Sequence, residues 1–92
     1  MPKVTLRVFG ALATVLGQKE AEIEGSLLKD AIESLSKEFG DKFKTKIIDD
    51  EGNLRRHIRV YINGKDVRFL KQLDSPLKVG DKVLILPAVV GG

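Results

Sequence analysis

Residues 25–40 read Gly25-Ser26-Leu27-Leu28-Lys29-Asp30-Ala31-Ile32-Glu33-Ser34-Leu35-Ser36-Lys37-Glu38-Phe39-Gly40. Leu28, Ala31, Ile32, Leu35 and Phe39 recur at spacings of three and four, the period that lines one face of an α-helix. Lys29, Asp30, Glu33, Lys37 and Glu38 take the other faces, so the helix has one side to bury and another to solvate. Ser26 is placed to act as N-cap, its hydroxyl accepting from the first free amides. Gly40 supplies a C-terminal stop. A single amphipathic helix cannot close a core alone, so the flanking segments decide what it packs on.

Those segments read as strands. Over residues 3–9, Val4, Leu6 and Val8 alternate with Thr5, Arg7 and Phe9, which predicts a half-buried strand with the first set inward. Gly10 breaks it, Gly17 starts a return, and Gln18 to Ile23 reads as a second, more polar strand joined to the first by a medium-length hairpin loop. After the helix, Ile47-Ile48 is read as a short strand, and Asp49-Asp50-Glu51-Gly52-Asn53 is turn chemistry. Ile58, Val60 and Ile62 share one face of the next strand. Asn63-Gly64 is a two-residue hairpin signal, with Lys65 to Phe69 expected as a short edge strand. Lys82 to Leu86 is the last strand, ended by Pro87. The expected fold is α+β: a mixed sheet of four to five strands, one main helix across one face, and a C-terminal tail over residues 87–92. The 92 residues are expected to form a single domain, residues 1–92.

Composition narrows the function. Hydrophobic residues are 42% of the chain and charged residues 32%, a globular balance. No stretch approaches the apolar length of a membrane span. Cysteine is absent, which excludes disulfides, thiolate metal sites and a thiol nucleophile within this chain. The absence of a signal-peptide pattern at Met1-Pro2-Lys3-Val4 points to the cytoplasm. Net charge is +3, with lysine more frequent than arginine. Nucleic-acid binding calls for a denser basic stripe with interleaved aromatics; the surplus fits either an acidic protein partner or a solvated lysine-rich surface. His57 has no Cys or His at ligand spacing, and the Asp49-Asp50-Glu51 group does not match a calcium loop, so no metal is expected.

The chain closes on Pro87-Ala88-Val89-Val90-Gly91-Gly92. Glycines are entropically costly to order and add nothing to a core. They suit an extended carboxylate entering a narrow slot on another protein, which makes Gly92 the candidate reactive group. Val89 and Val90 favour an extended backbone. They fit two readings equally, pocket-filling recognition residues or a strand end. Strand alternation predicts a second site. With Val83 and Ile85 toward the helix, the opposite face carries Phe9, Tyr61, Leu84 and Leu86 beside Arg7, Arg59 and Arg68. An apolar patch rimmed by arginine has the composition of a protein interface.

This order of elements resembles the ubiquitin-like β-grasp fold, and the terminal run resembles its small sulfur-carrier branch. The segments Val8-Phe9-Gly10-Ala11-Leu12, Val60-Tyr61-Ile62-Asn63-Gly64, Val79-Gly80-Asp81-Lys82-Val83 and the final Gly-Gly are similar to the family of the small subunit of molybdopterin synthase. The stretch Asn63-Gly64-Lys65-Asp66-Val67-Arg68-Phe69 and the Pro-Ala before the tail are closer to archaeal members and to carriers of a cysteine-forming route. The resemblance implies a non-enzymatic sulfur carrier. An E1-like partner adenylates the Gly92 carboxylate with ATP and magnesium, and a sulfur donor converts it to a thiocarboxylate. Gly91, Val90, Val89 and Ala88 are implied as tail-recognition residues, and a large molybdopterin synthase subunit as the partner that takes the tail. Conjugation to lysines of target proteins, cysteine synthesis and tRNA thiolation are the implied alternatives. No bound cofactor, nucleic acid or membrane is implied.

Overall fold

The computed structural model describes residues 2–87, so the expectations for Ala88, Val89, Val90, Gly91 and Gly92 lie outside the described residues. The chain runs β1 (Lys3–Val8), α1 (Ala11–Leu16), β2 (Glu20–Glu24), α2 (Leu28–Phe39), α3 (Lys42–Ile47), β3 (Ile58–Ile62), β4 (Lys65–Asp66) and β5 (Lys82–Pro87). The strands form one five-stranded sheet in the order β2-β1-β5-β3-β4. The two central strands, β1 and β5, are parallel, and the outer pairings are antiparallel.

The alternation expected along the strands is the one observed. Val4, Leu6 and Val8 of β1, Ile58, Val60 and Ile62 of β3, and Val83 and Ile85 of β5 are all buried. They meet Leu28, Ala31, Ile32 and Leu35 of α2, which share the buried stripe of that helix. All three helices contribute buried side chains to this single core, while the other sheet face carries none of it. Asn63 and Gly64 both have positive φ, 50° and 86°, as the tight turn between β3 and β4 requires.

Five details differ from the sequence reading. The loop expected between the first two strands contains α1. Leu12 and Leu16, four residues apart, turn into the core, and Gly17 closes the helix at φ 89°. A six-residue helix is too short to display a period, so the pattern gave no sign of it. Ile47-Ile48 is not a strand. Phe43 and Ile47 are the buried pair of α3, and only Ile48 makes an isolated bridge, to Leu54. The expected edge strand over Lys65 to Phe69 stops at Asp66. The Asp66 carboxylate accepts the Arg68 amide at 2.9 Å, bending the chain into a 3₁₀ turn that buries Val67. The last strand includes Pro87, paired with Ile58, one residue past the expected end at Leu86. A proline at a strand's final position costs no interior ladder bond.

Ser26 is not the cap of α2. The cap position is Leu27, whose amide donates to the Asp30 carboxylate at 3.2 Å, and the Leu28 amide donates to the carbonyl of Ser75 at 2.9 Å. Ser26 instead offers its own carbonyl to Leu77. A distant segment, residues 75–77, thus completes the helix start. The Asp30→Ala variant is expected to lose about 1 kcal/mol of stability, since it removes both an acceptor for a helix-start amide and a negative charge at the positive end of the helix dipole. Chemical denaturation at neutral pH would register this as a lowered midpoint with unchanged slope, and no change in midpoint would refute it.

Candidate functional site

The open face of the sheet is read directly from its register. Arg7 on β1 lies opposite Leu84 on β5, which lies opposite Tyr61 on β3. One step toward the end of β5, Leu86 faces Arg59. The Phe9 amide donates to Ile85 O at 3.2 Å, extending the parallel pairing one residue past β1 and setting Phe9 beside Leu86. Phe9 is 41% exposed, and the Arg7 guanidinium carbon sits 5.7 Å from its ring centroid. This is cation–π distance, and it pairs the two side chains on the face. Tyr61, Leu84, Leu86 and Arg59 are half-buried. Six of the seven sequence-predicted face residues therefore come together.

The seventh, Arg68, does not join them. The outward-pointing carbonyl of Ile58 would belong to a strand partner, but β4 ends too soon to reach it. Arg68 fills the gap: its Nη2 donates to Ile58 O at 3.2 Å and to Arg56 O at 3.0 Å. Arg68 therefore closes the sheet edge, and sequence alternation had assumed a β4 long enough to carry it onto the face.

The face is graded along the strands. Toward the start of β5 the open-face positions turn polar: Thr5 opposite Lys82, with Glu22 beyond Thr5 and Lys3 opposite Glu24. A depression of about 220 Å³ lined by Thr5, Arg7, Glu20, Lys82 and Leu84 marks the change. The apolar, arginine-bearing half is thus the half next to Pro87, where residues 88–92 begin. The strand root is closely fitted there: a Cβ placed on Gly10, which has φ 61°, would come within 3.4 Å of the Pro87 ring.

The other sequence candidates resolve simply. Asp49 Oδ1 accepts the amides of Glu51 and Asn53 at 2.9 and 3.0 Å, making the acidic group a self-capping turn. His57 is exposed. Among the described residues no group of three His, Cys, Asp or Glu side chains is arranged to hold a metal ion. Among them, too, no helix is long and apolar enough to cross a membrane. Away from this face the concavities include a polar one of about 490 Å³ between residues 52–54 and 70–74, where Lys29 pairs with Asp74 at 3.0 Å. That hydrogen bond and charge hold the Lys29 ammonium above its usual pKa; the pair is exposed and adds little stability.

One exposed aromatic near the site also departs from the sequence expectation. Phe69, expected within a strand, is 88% exposed on the turn after β4. The signal available was Asp66 two residues before Arg68, the spacing of a side chain that caps its own turn.

Comparison with known proteins agrees with this architecture. The ThiS family pattern matches residues 6–92. The sulfur carrier protein CysO of Mycobacterium tuberculosis is 36% identical over 78 residues, 83% of each chain. Among solved structures, the Amycolatopsis orientalis BexX/CysO complex contains a chain with a TM-score of 0.87 and 36% identity, covering 97% of this chain and 99% of that one. The small archaeal modifier protein 1 of Methanosarcina acetivorans has a TM-score of 0.85 and 31% identity, covering 100% of this chain and 98% of that one.

Proposed function

Because the chain belongs to the ThiS family, of ubiquitin-like β-grasp sulfur carriers, we propose that it carries sulfur as a thiocarboxylate on Gly92 and presents it to enzymes that dock on the open sheet face. The observation that carries this reading is the position of Pro87. It ends a central strand beside the apolar half of that face, so a partner seated there is next to the start of the tail. The family pattern also runs through Gly91 and Gly92.

The chemistry asks nothing catalytic of this chain. A carboxylate resists nucleophiles because its charge is delocalised and its leaving group is poor. In the partner, an E1-like enzyme using ATP and magnesium, a Gly92 oxygen attacks the α-phosphorus and pyrophosphate leaves. Sulfide from the sulfur donor then attacks the acyl carbon and AMP leaves with the C–O bond electrons, giving the thiocarboxylate. The partner supplies positioning and charge stabilisation. The carrier supplies an acyl carbon without a neighbouring side chain, and a docking face. Phe9, Leu84, Leu86 and Tyr61 give that face its apolar area, and Arg7 and Arg59 favour a partner bearing carboxylates there. The leading route in this reading is docking on a large molybdopterin synthase subunit, with a pterin precursor as sulfur acceptor.

Incubating the protein with an E1-like enzyme, ATP, magnesium and sulfide should yield a species whose mass reflects one oxygen exchanged for sulfur, mapped to the peptide ending in Gly92. Absence of that species defeats the proposal. The similarity to an archaeal modifier favours a second reading, conjugation to target lysines. It starts from the same acyl-adenylate, with a lysine amine as nucleophile. Peptide mapping of proteins captured with the carrier would then show lysines branched through Gly92.

A further inference from the structure

Phe69 stands out from the rest of the surface. Its side chain is 88% exposed, and Leu70 beside it is 40% exposed. An exposed aromatic on a frayed loop needs no explanation, but this loop is stitched down on every side. The Asp66 carboxylate caps the Arg68 amide, and the Leu70 amide donates to Val67 O at 3.0 Å. The Lys71 amide donates to the hydroxyl of the fully buried Ser75 at 3.1 Å. Arg68 is bonded to the carbonyls of Arg56 and Ile58. The backbone that carries Phe69, an apolar knob, is therefore fixed, so a partner that covers the ring has only its side-chain torsions to order.

Its surroundings state the chemistry of that partner. Arg56, whose carbonyl Arg68 holds, and Lys71, two residues after Phe69, are exposed. Within residues 66–74, Asp66 is engaged in the turn and Asp74 is paired with Lys29, which leaves the charges of Arg68 and Lys71. The surplus is positive, which fits an apolar pocket rimmed by carboxylates. Position adds the rest. Arg68, next to Phe69, bonds Ile58, and Ile58 pairs with Pro87 across one strand spacing of about 4.8 Å. An interface of ordinary size, about 800 Å² per partner, spans both the knob and the strand end.

We infer that Phe69, with Leu70, is a second anchor for the activating enzyme: it enters an acidic-rimmed apolar pocket on the E1-like partner that takes the tail. The inference rests on the carrier reading. Activation is the step common to every downstream route, so a recognition element built rigidly into the fold serves it.

The test compares the intact chain with Phe69→Ser and, as control, Val79→Ser. Val79 is 80% exposed but lies in the turn before β5, at the other end of the sheet. The probe is the E1-like enzyme of the same organism, titrated by calorimetry without ATP and then assayed for loading. Phe69→Ser should weaken binding and raise KM by about tenfold or more, with kcat and Tm unchanged, and Val79→Ser should match wild type. Equal affinities of Phe69→Ser and wild type, an equal loss in Val79→Ser, or no binding by wild type overturns the inference. So does a wild-type dimer that Phe69→Ser dissolves in sedimentation, or Phe69-dependent sedimentation with phosphatidylglycerol vesicles, which would make the knob a self-association or lipid anchor. Phe69-dependent binding without any sulfur gain at Gly92 would instead refute the carrier reading and leave the anchor standing.

Discussion

Removal of Gly92 is expected to abolish sulfur loading while leaving the thermal midpoint within about 3 °C of wild type, since a glycine brings no side chain to a core. The reasoning starts from burial. The last fully buried side chain among the described residues is Ile85; Leu86 and Pro87 are half-buried on the sheet. Among the described residues, the core therefore closes two positions before Pro87. Deleting one terminal glycine also moves the carboxylate back by about 3.5 Å, one residue of extended chain. A nucleophile and an acyl carbon misplaced by even about 1 Å lose about a hundredfold in rate, so the shortened chain should show no detectable sulfur gain. Gly92→Ala keeps the carboxylate at its place but adds a Cβ beside the acyl carbon, and should load slowly. Mass spectrometry of the three proteins after identical incubation decides the matter. Normal loading of the truncated chain would remove Gly92 from the chemistry.

Gly25→Ala should be the most damaging single methyl in the molecule. Gly25 follows β2 and precedes α2, and it is buried. A Cβ there would lie 2.4 Å from the amide nitrogen of Ala31 and 2.8 Å from its Cα. Both are backbone atoms of the first turns of α2, so no side chain can swing aside. The helix must move off the sheet or the end of β2 must unpair. Overpacking of this kind costs about 1–3 kcal/mol and occasionally more, against a total stability of about 5–15 kcal/mol for such domains. At about 4–8 °C per kcal/mol, the midpoint should fall by about 10 °C or more. Gly52→Ala is the matched control: its φ is 84°, so the variant is strained, but nothing lies within 4 Å of the new Cβ. It should lose only about 1 kcal/mol. A Gly25→Ala midpoint equal to that of Gly52→Ala would show that the helix start yields freely.

The pair illustrates what a sequence conveys and what it hides. As letters, Gly25 and Gly52 are both turn glycines. The first is required by a close approach between elements, the second by its own backbone angle, and only the assembled fold separates them. The same division runs through the site. Leu84 and Leu86 were legible as outward residues of the last strand because a strand's period is strict. Arg68 was misplaced because its face depended on the length of β4, and that length was set by the Asp66 cap and the pull of Val67 into the core. Ser26 looked like a cap, yet the helix start was completed by Ser75, a residue no local window contains. The short helices α1 and α3 went unread because two apolar residues four apart do not make a measurable period.

The sequence by itself determined the strand and helix periods, the inward and outward sets of β1, β3 and β5, the tight turn at Asn63-Gly64, and the family to which the chain belongs. These are properties of neighbouring residues, written in local spacing and backbone preference. The tertiary structure alone decided that Arg7, Leu84 and Tyr61 share a row, that Arg68 leaves it to seal the β3 edge, that Phe69 projects from a fastened turn, and that Pro87 ends beside Gly10. Each depends on which segments, far apart in the chain, compete for the same buried space and the same unpaired carbonyls.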